Sequence, residues 1–156
     1  MQVQHFEDLP LGLEVIRAIE DLEFRNLFPI QAEAIVPLLE GKDVIGQAKT
    51  GTGKTAAFGI PMVERLNPKS KSVQGLVLEP TRELAIQVAE HIDRLGKYSA
   101  LNVLPIYGGV PIQRQIRALE NGVHIVVGTP GRTIDHLKRR TLNLNSVKTV
   151  VLDEAD

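Results

Sequence analysis

Ala48-Lys49-Thr50-Gly51-Thr52-Gly53-Lys54-Thr55 decides how the rest of this sequence is read. Glycines at 51 and 53 let backbone N–H groups approach anionic oxygens closely, and a helix beginning at Gly53 would add its own amides and partial positive charge. The backbone of Ala48, Lys49, Thr50 and Thr52 completes such a cradle. Lys54 is placed to reach the β and γ phosphates of a nucleoside triphosphate, and the Thr55 hydroxyl to ligate Mg²⁺. A glycine turn that merely caps a helix is the simpler alternative. The apolar segment Asp43 to Gly46 before the loop, expected as a strand, and the helix expected from Gly53 to about Leu66 favour a nucleotide-binding unit.

Working outward, short apolar runs alternate with segments of helical period. Val15, Ile16, Ile19 and Leu22 mark a first helix; a second begins near Pro29 and stops before Gly41. Strands are expected near Gly75 to Leu78, Val103 to Tyr107, Val123 to Val127 and Val147 to Leu152, with helices at about 82–96, 111–121 and 131–139 between and after them. Asn67-Pro68-Lys69-Ser70-Lys71-Ser72 reads as a turn, not a domain linker. Strands that are nearly all apolar, each followed by a helix, predict an α/β fold with a mostly parallel sheet covered on both faces. The expected organisation is one domain: a helical lead-in over residues 1–41 and a nucleotide-binding core over 42–156.

Composition sets the outer limits. The chain has 156 residues, 43% of them hydrophobic and 24% charged, as in ordinary globular proteins. It has no cysteine, which excludes disulfide and thiolate–metal frameworks and agrees with a reducing compartment. Met1-Gln2-Val3-Gln4-His5 lacks the basic and apolar blocks of a signal peptide, and no apolar stretch reaches membrane-spanning length, so a soluble cytoplasmic protein is expected. A formal charge of −1 leaves no general basic coat; any nucleic-acid contact must be local and partly through backbone amides.

The polar residues gather after the expected strands. The phosphate loop follows Gly46, Pro80-Thr81-Arg82-Glu83 follows the strand at Leu78, Gly108-Gly109 follows Tyr107, Thr129-Pro130-Gly131-Arg132 follows the strand at Val127, and Asp153-Glu154 follows Leu152. The carboxyl edge of an open parallel sheet is where ligands bind, so the five bursts are expected on one rim. There Asp153 could hold Mg²⁺ through its water shell, and Glu154 could orient or deprotonate the water that attacks the γ phosphorus. Lys54, Asp153 and Glu154 are therefore the catalytic candidates. Each weaker burst also has a structural reading: Thr81 and Thr129 as plain helix N-caps, Gly108-Gly109 as a turn, Asp153-Glu154 as a helix start, Lys138-Arg139-Arg140 as a solvated helix end.

Taken in order, these residues resemble the DEAD-box RNA helicases, a branch of helicase superfamily 2, across essentially the whole chain. Phe6 stands seventeen residues before Glu23-Phe24, and Phe28-Pro29-Ile30-Gln31 closes what looks like the family's Q motif. Ala48 to Thr55 is similar to motif I, Pro80 to Ala85 to motif Ia, Gly108-Gly109 to the glycine doublet, Thr129 to Arg132 to motif Ib, and Asp153-Glu154-Ala155-Asp156 to motif II.

The resemblance implies roles that spacing alone does not. Gln31 would hydrogen-bond the adenine edge, Phe24 would lie against its ring and Phe6 would support that pocket, selecting ATP over GTP. Pro80, Thr81, Arg82, Gly108, Gly109, Thr129, Gly131 and Arg132 would contact the sugar-phosphate backbone of single-stranded or short duplex RNA. The fold implied is a three-layer RecA-like sandwich, and the activity is ATP-dependent RNA unwinding or remodelling completed by a second RecA-like domain. A nucleotide-binding fragment without turnover and a P-loop ATPase acting on DNA are the alternatives. The chain departs from the family pattern at Glu23, Leu27 and Phe28, where Gly, Pro and a small polar residue are usual, and at Thr133, where an aliphatic residue is. In the related fold a strand from beyond motif II lies between the strand before the phosphate loop and the strand before Asp153. Without it, unpaired edges are expected there, along with a tendency to self-association.

Overall fold

Four strands, all parallel, lie in the order β2-β3-β1-β4 among the described residues, 4–156, of the protein's computed structural model. They are β1 (Gly75–Leu78), β2 (Val103–Ile106), β3 (Ile125–Gly128) and β4 (Thr149–Leu152). The helices are α1 (Leu13–Asp21), α2 (Pro29–Leu39), α3 (Lys54–Arg65), α4 (Arg82–Leu95), α5 (Ile112–Asn121) and α6 (Pro130–Lys138), preceded by a 3-10 turn at Phe6–Asp8. Met1-Gln2-Val3, the start of the expected lead-in, lies outside the described residues. The α/β class and the parallel sheet are as the sequence predicts.

The strand chemistry explains the order. Ile125, Val126 and Val127 are buried on both faces, which suits the interior position of β3. β2 contains Pro105, which cannot donate to a ladder, and it stands at the edge. On one side of the sheet Leu76, Ile106 and Val126 form a core with Val73, Val123 and Leu142. Register then positions the chemistry: Leu78 is level with Gly128 and Leu152, and Ile106 is level with Gly128. The segments after all four strands therefore leave one edge at one height.

One expected strand is absent. Asp43 to Gly46 makes no ladder; Ile45 is fully exposed and Val44 is 39% exposed. Its apolar pair carries the strand signal, but a strand exists only where a neighbour accepts its N–H and C=O groups, and among the described residues none does. β4 pairs with β1 on one side only, and Val150 and Leu152 on it are 58% and 63% exposed.

The contacts divide the chain into two compact units. One runs to Arg65 and takes in Arg94–Ala100; the other is Leu66–Asp93 with Leu101–Asp156. In the first, α1 buries Val15, Ala18 and Ile19, and α2 and α3 pack together. After α1 the backbone turns through Glu23 in the left-handed region at φ 59°; the β-carbon there costs about 1 kcal/mol. Asp21 accepts hydrogen bonds from Tyr98 and Lys97, which hold its carboxyl below the usual range. The second unit contains the sheet, and its 67–72 loop is a turn tied down by buried Gln74, which bonds Asn67 at 2.9 and 2.8 Å and Ser70 at 3.0 Å.

Candidate functional site

In the first unit, the Ala48–Gly53 loop runs without regular structure into Lys54, the first residue of α3. Gly51 and Gly53 both take positive φ, +81° and +79°. Open space surrounds Gly51, whereas a Cβ on Gly53 would stand 2.2 Å from Gln31 Nε2. Gly53 is thus required by conformation and by space. The Thr52 hydroxyl donates to the Lys49 carbonyl and closes the loop on itself. Lys54 and Thr55 occupy the first helical turn, so an anion at this helix end would meet N-terminal amides and a cationic side chain.

Gln31 links this loop to the segment before α2. Its Oε1 accepts the Phe28 N–H at 2.9 Å, and its Nε2 donates to the Gly53 carbonyl at 3.1 Å. The carboxamide is 3% exposed, and these contacts engage one of its two N–H groups and one of its two lone pairs. Phe6 stacks on Phe24 with ring centroids 5.8 Å apart. Both rings, with Ile16, Ile19, Glu20 and Arg25, line a cavity of about 400 Å³ that does not include Gln31. The residues expected around adenine are therefore grouped as Phe6 with Phe24, and Gln31 with Gly53.

In the second unit, Thr81 is an N-cap: its hydroxyl accepts the Leu84 N–H at 3.2 Å. Thr129, at the N-cap of α6, makes no such bond. Its N–H donates to Ile106 O at 2.9 Å, its hydroxyl points at the same carbonyl, and its own carbonyl receives the Thr133 hydroxyl at 2.7 Å. Gly128 and Thr133 are matched, since a Cβ at 128 would lie 2.2 Å from Thr133 Oγ1. Arg82 lies over the Tyr107 ring at 4.8 Å, Gly109 has φ +79°, and Pro80, Gly108 and Gly131 are exposed. Arg132 donates to Gln115 Oε1 at 3.3 Å and to Val110 O at 3.0 Å. Asp153 extends the sheet by one bond, N–H to Leu78 O at 3.1 Å, and its Oδ1 accepts the Glu154 N–H at 3.1 Å. Glu154 follows in a left-handed turn at φ 53° with its side chain exposed.

Two residues absent from the sequence reading sit among these. Gln115 and His136 are buried and bonded to each other at 2.8 Å. The signal for Gln115 was available: it interrupts the apolar stripe Ile112, Ile116, Leu119 of α5. Burial, then the neighbouring Arg132, holds the His136 imidazole below its usual 6.5. Above that value both folded and unfolded rings are neutral. As pH falls through it the unfolded ring gains a proton and the folded one resists, so stability declines. The melting temperature should therefore fall between about pH 7.5 and 5.5, and His136→Gln should flatten that part of the profile. Equal slopes in the two proteins would dismiss His136 as the source. Asp135, lowered by Arg139, belongs to a separate window, losing its contribution only as pH falls below the ordinary carboxylate value.

A parallel sheet whose strand ends carry Thr-Arg, Gly-Gly, Thr-Pro-Gly-Arg and Asp-Glu segments, in a chain with a glycine loop at a helix N-terminus, defines an α/β protein of the P-loop class. The sequence pattern of the DEAD/DEAH box helicases matches residues 28–156, and the chain belongs to that family. It is 60% identical over 151 residues to the DEAD-box ATP-dependent RNA helicase CshA of Geobacillus kaustophilus, covering 97% of this chain and 32% of that protein. The Bacillus subtilis protein of the same description is 56% identical, with 97% of this chain and 31% of that one covered. The chain thus spans about a third of these relatives. A crystal structure of a DEAD box protein from the hyperthermophile Methanococcus jannaschii superposes with a TM-score of 0.95 at 43% identity, over 100% of this chain and 43% of that one. The four-stranded sheet is accordingly part of a RecA-like domain of the DEAD-box kind.

Proposed function

We propose that this chain is the nucleotide-binding part of the first RecA-like domain of an ATP-dependent RNA helicase, which separates short duplexes or remodels RNA–protein contacts. Both compact units belong to that one domain, a lead-in over 1–41 and a core over 42–156, and the protein works in the cytoplasm with a second RecA-like domain. The observation that carries the reading is the loop at 51–53: two left-handed glycines, with Gln31 bonded to the carbonyl that immediately precedes Lys54. That arrangement supports reading Gln31 as an amide reader beside a phosphate cradle on adjoining backbone.

The ring of Phe24 and the remaining N–H and lone pair of Gln31 serve the adenine, and the amides of Ala48 to Thr55 with Lys54 serve the phosphates. Thr55 and Asp153 would hold Mg²⁺, Asp153 through the ion's water shell; the Glu154 N–H fixes the Asp153 carboxylate. When bound, the ion offsets charge on the β and γ oxygens. Glu154 takes the proton of the attacking water. Arg82, Thr129 and Arg132, with Pro80, Thr81 and the glycines at 108, 109 and 131, grip the RNA backbone from the common edge, so discrimination among RNA sequences is weak.

By itself the 156-residue chain is proposed to bind nucleotide without turnover, and the open side of β4 gives it a tendency to pair with a second copy. Gln31→Ala tests adenine reading: in the full-length protein the ATP dissociation constant should rise about tenfold, and that for GTP by less than about twofold. Titration with both labelled nucleotides measures this. An equal loss of both would reassign Gln31 to supporting the loop.

A further inference from the structure

Arg82, the Tyr107–Val110 turn and Arg132 are joined below the surface by two side chains that reach no ligand themselves. Gln115 Nε2 donates to Tyr107 O at 3.0 Å, fixing the carbonyl that leads into Gly108-Gly109. Its Oε1 accepts from Arg132 Nη1 at 3.3 Å and pairs with His136 Nε2 at 2.8 Å. The orientation of the carboxamide is determined twice over, because Tyr107 O can only accept and a guanidinium can only donate. His136 Nε2, facing that oxygen, must therefore carry the proton. Its Nδ1 is then the acceptor for the Thr141 hydroxyl, 2.7 Å away.

Both lone pairs of Gln115 Oε1 are used, and Gln115 and His136 are 5% and 0% exposed. A buried hub whose shared oxygen has no spare lone pair favours this geometry, and departures leave polar groups unpaired in a medium of low dielectric. Arg132 is held at two of its five N–H groups, through Gln115 and Val110 O, and keeps three for a ligand. Arg82 lies over Tyr107, whose carbonyl the hub also fixes.

We infer that Gln115 and His136 are positioning residues of the RNA grip: they hold the glycine turn and Arg132 in the one arrangement that a sugar-phosphate backbone can meet. This rests on the reading of Arg82, Gly108, Gly109 and Arg132 as RNA contacts. The hub replaces reorganisation at the moment of binding with order present beforehand, so its loss is felt in RNA affinity more than in nucleotide affinity.

The experiment is RNA-stimulated ATP hydrolysis by the full-length protein, titrated with single-stranded RNA and separately with ATP. Gln115→Met keeps the volume and the apolar contacts and removes the bonds to Tyr107, Arg132 and His136. It should raise half-saturating RNA about tenfold and leave half-saturating ATP within about twofold. Arg82→Ala and Arg132→Ala serve as references. If they weaken RNA and a folded Gln115→Met protein does not, the positioning role is overturned while the RNA reading stands. If none of the three weakens RNA, the RNA reading itself fails. Should Gln115→Met not fold, the decision passes to position 136. His136→Gln, able to donate to Gln115 Oε1, should hold RNA affinity within about threefold, and His136→Leu should lose about tenfold. Equal RNA affinity of those two overturns the proposal.

Discussion

Lys54→Ala is expected to abolish nucleotide binding at working concentrations, raising the ATP dissociation constant by at least about a hundredfold. The ammonium stands at the first position of α3, directly after a glycine whose φ of +79° turns the chain into the helix. In the proposed phosphate loop it and the helix N-terminus would act on the same phosphate oxygens. Charge-assisted hydrogen bonds contribute about 1.5–3 kcal/mol each, and Lys54 would supply them to two phosphates. Calorimetric titration of the full-length protein with ATP measures the loss. Lys54→Arg separates charge from shape: a planar guanidinium keeps the charge yet does not reproduce a compact ammonium, so affinity should recover only in part. An alanine variant that binds ATP like the unaltered protein would sink the phosphate-loop assignment.

Glu154→Gln should leave ATP and RNA bound together but unconsumed. The amide matches the carboxylate in size and cannot accept a proton from water, so the hydrolytic step should slow by about a hundredfold to ten-thousandfold. Binding should persist, because the Glu154 backbone, not its side chain, makes the bond to Asp153 Oδ1. Single-turnover hydrolysis measured beside RNA retention on filters gives both quantities from one preparation. Unchanged hydrolysis would remove Glu154 from the mechanism. Loss of RNA retention along with hydrolysis would mean that the left-handed turn at φ 53° had been disturbed instead.

Much of this architecture was legible in the sequence because it depends on local period and punctuation. The stripe of α4, the apolar runs of β1 and β3 and the stop of α2 before Gly41 all have causes within a few residues of themselves. What escaped depends on partners far along the chain. Val44-Ile45 has the composition of a strand, but a ladder is a property of two segments. Thr81 and Thr129 carry the same capping signal and both stand at helix N-caps, but only the Thr81 side chain makes the cap bond. Thr129 is drawn off by Ile106 O, a residue 23 positions earlier that no local rule brings near. The pairing of Gln115 with His136 was likewise hidden, 21 positions apart, although Gln115 interrupts the apolar stripe of its own helix. The roles of Phe6, Phe24 and Gln31 came from resemblance to a family, and the structure adds physical content to them: one stacked pair, and one amide on the Gly53 carbonyl.

The level finish of the strands, with Leu78, Ile106, Gly128 and Leu152 side by side, works as a gauge. One residue added within a strand would turn its remaining side chains to the opposite face; two would carry the motif beyond it about 6.6 Å out of line. Either shift would break the shared grip on RNA proposed for these motifs. Tolerance to insertion should therefore be lopsided in this protein: length variation, epitope tags and labels belong on the turns at the strands' amino ends, while the spacing from each strand to its motif is fixed to the residue.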